Sequence, residues 1–235
     1  MTDYDRTIHD SPDASRWAKF FMETLEENSW TMDDIDEGLM IGWFANAMEA
    51  MHSHHSPVYL QGTVPGLVSD ALRFAQEAHS GQVRKYTGEP YVYHPMDVHD
   101  ILCLHYPASA AMRAAAILHD VVEDTEVTLQ DIEGRFGIKV AMLVDDLTDV
   151  SIPSDGNRAK RKEIDRQHTA RASVSAQVIK CADIISNGKS IMEHDVKFAK
   201  TYISECLATL VSMKDETKGM KIWHVAFDLL KSQGV

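Results

Sequence analysis

The stretch AAAILHDVVEDT, residues 114–125, decides how the chain is read. Its first half is an Ala/Ile/Leu run that belongs in a core. Its second half sets His119 beside Asp120, then Glu123 beside Asp124. Read as one helix, ASAAMRAAAILHDVVED, successive residues lie about 100° apart, so His119 and Glu123 share a face and Asp120 and Asp124 the neighbouring one. The acids then fall near the C-terminal end of that helix, where the macrodipole disfavours negative charge. Like charges three or four apart weaken a helix further. A solvated acidic face is the plain explanation of an ED pair. Against it stand the buried run leading into His119-Asp120 and the unfavourable end of the dipole. A bound divalent cation would relieve both.

The rest of the chain can support such a site. It has 235 residues, 44% hydrophobic and 25% charged, which suits one domain with a good core and a small appendage. No run of 18 apolar residues marks a membrane span, and MTDYDRTIHD lacks the layout of a signal peptide. The three cysteines, Cys103, Cys181 and Cys206, include no C-x-x-C and read as reduced core residues of a cytoplasmic protein. The net charge of −13 is uneven: residues 1–56 hold 12 acidic against 3 basic residues, and residues 57–235 hold 24 against 20. Such acidity does not suit nucleic acid, whose phosphates are bound by Lys and Arg.

Periodicity predicts an all-α chain. Two helices are expected before residue 56, in SPDASRWAKFFMETLEE and MDDIDEGLMIGWFANAMEAMH, followed by the linker SPVYLQGTVPG. This gives an acidic N-terminal helical segment over 1–60 and a main domain over 61–235. In the main domain further helices follow one another, with C-caps at Gly81 and Gly137 and a capping box at Thr128/Asp131. The stretch RKYTGEPYVYHP reads as irregular, with a short hairpin. Trp17, Phe20, Trp43 and Phe44 are read as covering an apolar patch on the main domain, with a homo-oligomer or protein-docking role as the alternative.

A metal needs more ligands than His119 and Asp120. His94 stands just before a proline that opens a helix, and Asp183 sits on an otherwise apolar helix, VIKCADIISN. Each has a dull explanation as well: a lone His is usually a satisfied core or surface residue, and Asp183 can pair with Lys180 one turn away.

Together AHSGQVRKYTGEPYVYHP, AAILHDVVEDT, LVDDLTDV and VIKCADIISN resemble the hydrolase domain of RelA/SpoT-type alarmone enzymes, within the HD-domain metal phosphohydrolases. The small stand-alone hydrolase type is the nearest form, and the resemblance covers about residues 67–215. It implies an HD-domain helical bundle with Mn²⁺ held by His94, His119, Asp120 and Asp183. Glu123 and Asp124 would orient and deprotonate a water. Arg84 and Lys85 would line a nucleotide pocket, Thr148 and Asn187 would contact sugar and phosphates, and Arg158 and Lys162 would face a polyphosphate. For the latter pair a solvated basic helix face is the competing explanation. The implied reaction converts ppGpp to GDP, or pppGpp to GTP, with release of pyrophosphate. One departure stands out: Ile184 follows Asp183 where the family carries a basic residue, and SNGKS replaces the usual run. That opens other nucleotides as substrates, among them ppApp, NADPH through its 2′-phosphate, and a dNMP or dNTP. A protein that only binds nucleotide or a partner is the non-enzymatic alternative.

Overall fold

The computed structural model describes residues 66–232. The helices expected before residue 56, the linker and the boundary near residue 60 lie outside the described residues. Within them the chain forms α1 (Leu67–Ala78), α2 (Tyr93–His105), α3 (Ala110–Leu118), α4 (Val121–Asp124), α5 (Leu129–Phe136), α6 (Ile138–Leu147), a 3-10 turn (Pro153–Asp155), α7 (Arg158–Arg171), α8 (Val174–His194), α9 (Val196–Ser212), α10 (Asp215–Lys218) and α11 (Lys221–Lys231). No strand occurs among the described residues, only an isolated antiparallel bridge between Val83 and Pro90. The described residues form an all-α helical bundle, as expected. No described helix is long and apolar enough to cross a membrane.

Local sequence sets the breaks. Gly137 alone joins α5 to α6: its φ of +86° is open to glycine, and its amide donates to the Glu133 carbonyl. Thr128 and Asp131 form the expected capping box at the start of α5. α8 was expected to end near Asn187, yet it runs on through Gly188 to His194. Gly188 serves a packing need instead. A Cβ there would lie 3.6 Å from Leu230 and 3.7 Å from Leu229, so the bare helix surface lets α11 come close.

α3 and α8 form the centre. Ala114, Ala115, Ala116, Ile117 and Leu118 are all buried, and the three alanines let α3 lie close against α1, α2 and α6 at once. α8 buries Val178, Ile179, Cys181, Ala182, Ile184 and Ile185 and packs against α2, α6, α9 and α11. All three cysteines are free, with Cys181 in the core.

One buried polar residue fixes the start of α8. Gln177 is fully buried. Its Nε2 donates to the Thr169 carbonyl at 2.9 Å, and its Oε1 accepts from the Thr217 hydroxyl at 2.7 Å and the Lys214 amide at 3.0 Å. It thus ties α7 and α10 to α8. Gln177→Leu would strand the fully buried Thr217 hydroxyl and a main-chain amide. We expect it to lower the unfolding free energy by about 2–4 kcal/mol in urea titration, since each orphaned buried group costs about 1–3 kcal/mol. Wild-type stability in that variant would contradict this assignment.

Candidate metal centre

The structure divides the HDVVED stretch rather than running one helix through it. α3 ends at Leu118, His119 and Asp120 form a turn, and α4 begins at Val121. The expectation of a continuous helix with acids at its C-terminal end is therefore corrected. The physical cause lies in His119. Its ring Nδ1 is 2.9 Å from the Ala116 carbonyl, the acceptor that the Asp120 amide would use in a continuing helix. A carbonyl only accepts, so Nδ1 carries the hydrogen and Nε2 is left to face inward. That Nε2 is buried and has no hydrogen-bond partner.

Four side chains converge on that nitrogen's surroundings. His94 comes from the first turn of α2, and its Nδ1 lies 3.1 Å from the Ser186 hydroxyl on α8. Its Nε2 is 3.6 Å from Asp120 Oδ2 and 3.2 Å from Asp183 Oδ1. His119 Nε2 is 3.1 Å from Asp120 Oδ2 and 3.8 Å from Asp183 Oδ1. Ligands about 2.1 Å from an octahedral cation sit about 3 Å apart, so His94, His119 and Asp120, whose ligand atoms lie within 4.8 Å of one another, can share one divalent ion, and Asp183 Oδ1 stands beside both histidines. Three elements thus deliver the set: α2, the turn after α3, and the middle of α8.

The electrostatics agree. Burial alone would lower the His119 pKa, but Asp120 and Asp183 outweigh it and push it up to about 9. Burial would raise Asp120, yet the two histidines hold its carboxyl below the usual range. Asp183 is likewise held low against burial by Lys180, His94 and His119. The pocket therefore attracts positive charge, and a cation would compete with the proton on His119. The dull pairing of Asp183 exists as well: its Oδ2 is 2.9 Å from Lys180 Nζ, while Oδ1 faces the histidines. Each oxygen has its own partner, so the pairing orients the carboxylate toward the centre.

Around this group the other expected residues separate into those at the centre and those further out. Asn187, one turn after Asp183, donates to Asp183 Oδ1 at 2.6 Å and accepts from both Arg84 terminal nitrogens at 3.3 Å. Arg84 reaches it from the tight loop closed by Arg84 N–Glu89 O at 2.8 Å. A cavity of about 390 Å³ opens between this loop, α2 and α8, lined by Arg84, His94, Ser186, Lys189 and Ser190. Glu123 and Asp124 border a second, open groove with Gln82 and Thr125. Glu123 Oε2 accepts from the Asp149 amide at 3.3 Å, and Asp149 Oδ2 receives Lys162 Nζ at 2.7 Å. Lys162 is thus tied to the acid pair through Asp149. Thr148 spends its hydroxyl on the Val144 carbonyl at 2.8 Å, one residue from the Glu123 contact. Arg158 is gripped by both oxygens of Glu205, and its guanidinium lies 5.1 Å from the Phe198 ring centre. Lys85 approaches the same ring at 5.9 Å. These two cations stand around Phe198, apart from the four convergent groups.

Two features differ from what the sequence suggested. Ile184 is 2% exposed and points into the core, so of the departing residues it is Ser186, Lys189 and Ser190 of the SNGKS run, lining the cavity, that shape the surface beside Asp183. Tyr91, not singled out by its sequence, donates its hydroxyl to Asp120 Oδ2 at 2.6 Å. Burial and the Asp120 charge push its pKa up, which keeps the phenol a donor. Its place three residues before His94 in YVYHP was the only available signal.

The HD-domain family profile matches residues 71–210. The guanosine-3′,5′-bis(diphosphate) 3′-pyrophosphohydrolase MESH1 of Homo sapiens is 34% identical over 129 residues, covering 54% of this chain and 70% of that protein. Its Xenopus tropicalis counterpart is 36% identical over 124 residues, covering 52% and 67%. The putative chloroplastic GTP diphosphokinase RSH1 of Oryza sativa is 36% identical over 144 residues, 57% of this chain but only 16% of the longer protein. A solved metazoan ortholog of SpoT, described as hydrolysing ppGpp, superimposes with a TM-score of 0.62 at 27% identity, over 74% of this chain and 99% of that one.

Proposed function

The chain belongs to the HD-domain family, and from that premise we propose that it is a metal-dependent hydrolase that removes the 3′-pyrophosphate of ppGpp and pppGpp. The observation that carries this reading is the convergence of His94, His119, Asp120 and Asp183 from three elements, with Glu123 and Asp124 in α4, which follows directly. The MESH1 proteins and the metazoan SpoT ortholog supply the substrate class.

The four residues would hold Mn²⁺, which accepts mixed imidazole and carboxylate ligands. Once bound, the ion supplies Lewis-acid polarisation and makes water acidic enough to react at neutral pH. Glu123 takes the proton of the attacking water. Its carboxyl is suited to that task because desolvation where it leans on the Asp149 amide, with the charges of Asp149 and Asp120, pushes its pKa up to about 7, while the rest of the side chain stays exposed to the groove. The water oxygen bonds to the 3′-linked phosphorus, the bond from that phosphorus to O3′ breaks, and O3′ regains a proton. GDP and pyrophosphate leave from ppGpp, GTP and pyrophosphate from pppGpp. Arg84, placed by Asn187, offers a planar cation to base or phosphate. Lys85, Arg158 and Lys162 supply further positive charge, and Thr148 lies beside the acid pair.

The test is a panel of ppGpp, pppGpp, ppApp, NADPH and dNMPs incubated with Mn²⁺, with products separated by chromatography. Pyrophosphate with GDP or GTP is expected, and chelation should stop it. Turnover of ppApp, NADPH or a dNMP alone would move the substrate while keeping the metal chemistry. Nucleotide binding without turnover would favour the non-enzymatic alternative.

A further inference from the structure

We infer that Gln82 is a positioning residue for the Glu123–Asp124 acid pair, and that His79 sets its orientation. This rests on the hydrolase reading and deepens it. His79 is 3% exposed, and its Nδ1 lies 2.8 Å from Gln82 Oε1. Gln82 Nε2 in turn donates to the Asp124 main-chain carbonyl at 2.9 Å. The amide has only one sensible orientation. A carbonyl cannot donate, so the group facing Asp124 must be the NH₂, and the oxygen must face the histidine. His79 then donates from Nδ1. The two contacts lock each other.

The target of this relay is a weak element. α4 has only four residues, far fewer than a helix needs to hold itself. Asp124 is its last residue, so its carbonyl has no partner within α4. The other end of α4 is held from the same loop. Tyr91 leans on the His79 ring with centres 4.8 Å apart, its amide donates to the Gln82 carbonyl at 3.0 Å, and its hydroxyl donates to Asp120. Residues 79–91 therefore clamp α4 at Asp120 and at Asp124, and Glu123 lies between. Gln82 lines the same groove as Glu123 and Asp124. The clamp fixes where the acid pair stands relative to the metal carboxylate without binding the metal through Gln82 itself.

Gln82→Glu keeps the side chain's length and removes its donor toward Asp124. The wild type, Gln82→Glu, Glu123→Gln and the double variant are assayed on ppGpp with Mn²⁺. Gln82→Glu should lower kcat by about 10–100-fold, the range for lost supporting contacts, with KM and Mn²⁺ dissociation within about twofold. In the Glu123→Gln background the same change should do almost nothing, because Gln82 acts through Glu123. In metal-free protein, amides of 121–124 should exchange hydrogen about tenfold faster, as expected for one lost hydrogen bond. If Gln82→Glu does not fold, Gln82→Met replaces it. Unchanged kcat, an equal loss in both backgrounds, or a loss carried by KM or metal affinity would overturn the positioning role. Absence of ppGpp turnover by the wild type would instead count against the hydrolase reading, and unchanged exchange at 121–124 would still overturn the clamp.

Discussion

Asp183→Asn is expected to strip the protein of its metal and nearly all of its activity. The substitution keeps the shape of the side chain and removes one of only two carboxylates in the convergent set. Asp183 Oδ1 stands 3.2 Å and 3.8 Å from the two histidine nitrogens, within reach of an ion held between them. Mn²⁺ affinity should fall by more than about a hundredfold, beyond the range for contacts that only support a ligand. The loss in kcat/KM should be on the order of a thousandfold, equivalent to about 4 kcal/mol. Electron paramagnetic resonance of free Mn²⁺ reads the first quantity, and product chromatography the second. Circular dichroism checks that α8 is intact. Wild-type Mn²⁺ affinity in this variant would remove Asp183 from the proposed ligand set.

Glu123→Gln should separate chemistry from metal binding. Glu123 is anchored by the Asp149 amide rather than by the four convergent groups. Turnover should drop by about 10²–10⁴-fold, the range for loss of a general base, while Mn²⁺ affinity stays within a few fold. A pH signature accompanies this. Desolvation at the Asp149 contact, with the charges of Asp149 and Asp120, raises the Glu123 pKa from 4.5 to about 7 in the metal-free fold, although the side chain is exposed to the groove, so solvent screening makes the associated slope small. Between those values the folded protein holds a proton that the unfolded chain has released, so stability falls as pH rises across that window. Glutamine cannot titrate, and the metal-free variant should lose that part of the slope in urea melts taken from pH 4 to 8. Full turnover by Glu123→Gln would reject Glu123 as the base.

Much of this was legible in the sequence because its signals were local. The Ala-rich run of α3, the Thr128/Asp131 box and the Gly137 break each depend on neighbours within one turn. His94, His119, Asp120 and Asp183 could be nominated by family resemblance, but spacing alone could not show that they meet, since 62 residues separate Asp120 from Asp183. The split between α3 and α4 was hidden because it depends on a side chain, His119, taking a main-chain acceptor. The extension of α8 through Gly188 was hidden because its cause is α11, far along the chain. Arg158 and Lys162 read as free basic charge, and only the fold reveals Glu205 and Asp149 against them. Ile184 looked like an altered site surface because a sequence does not say which way a residue faces. Gln82 and Tyr91 act through their geometry across the 79–91 loop, and nothing in their identity announces it.

The most direct test of the account is hydrolysis of ppGpp by the wild-type protein with Mn²⁺ in ¹⁸O-labelled water, followed by mass spectrometry of both products. Attack by water on the 3′-linked phosphorus predicts pyrophosphate carrying one labelled oxygen and GDP carrying none. Label in GDP, release of orthophosphate in place of pyrophosphate, or no turnover at all would contradict it.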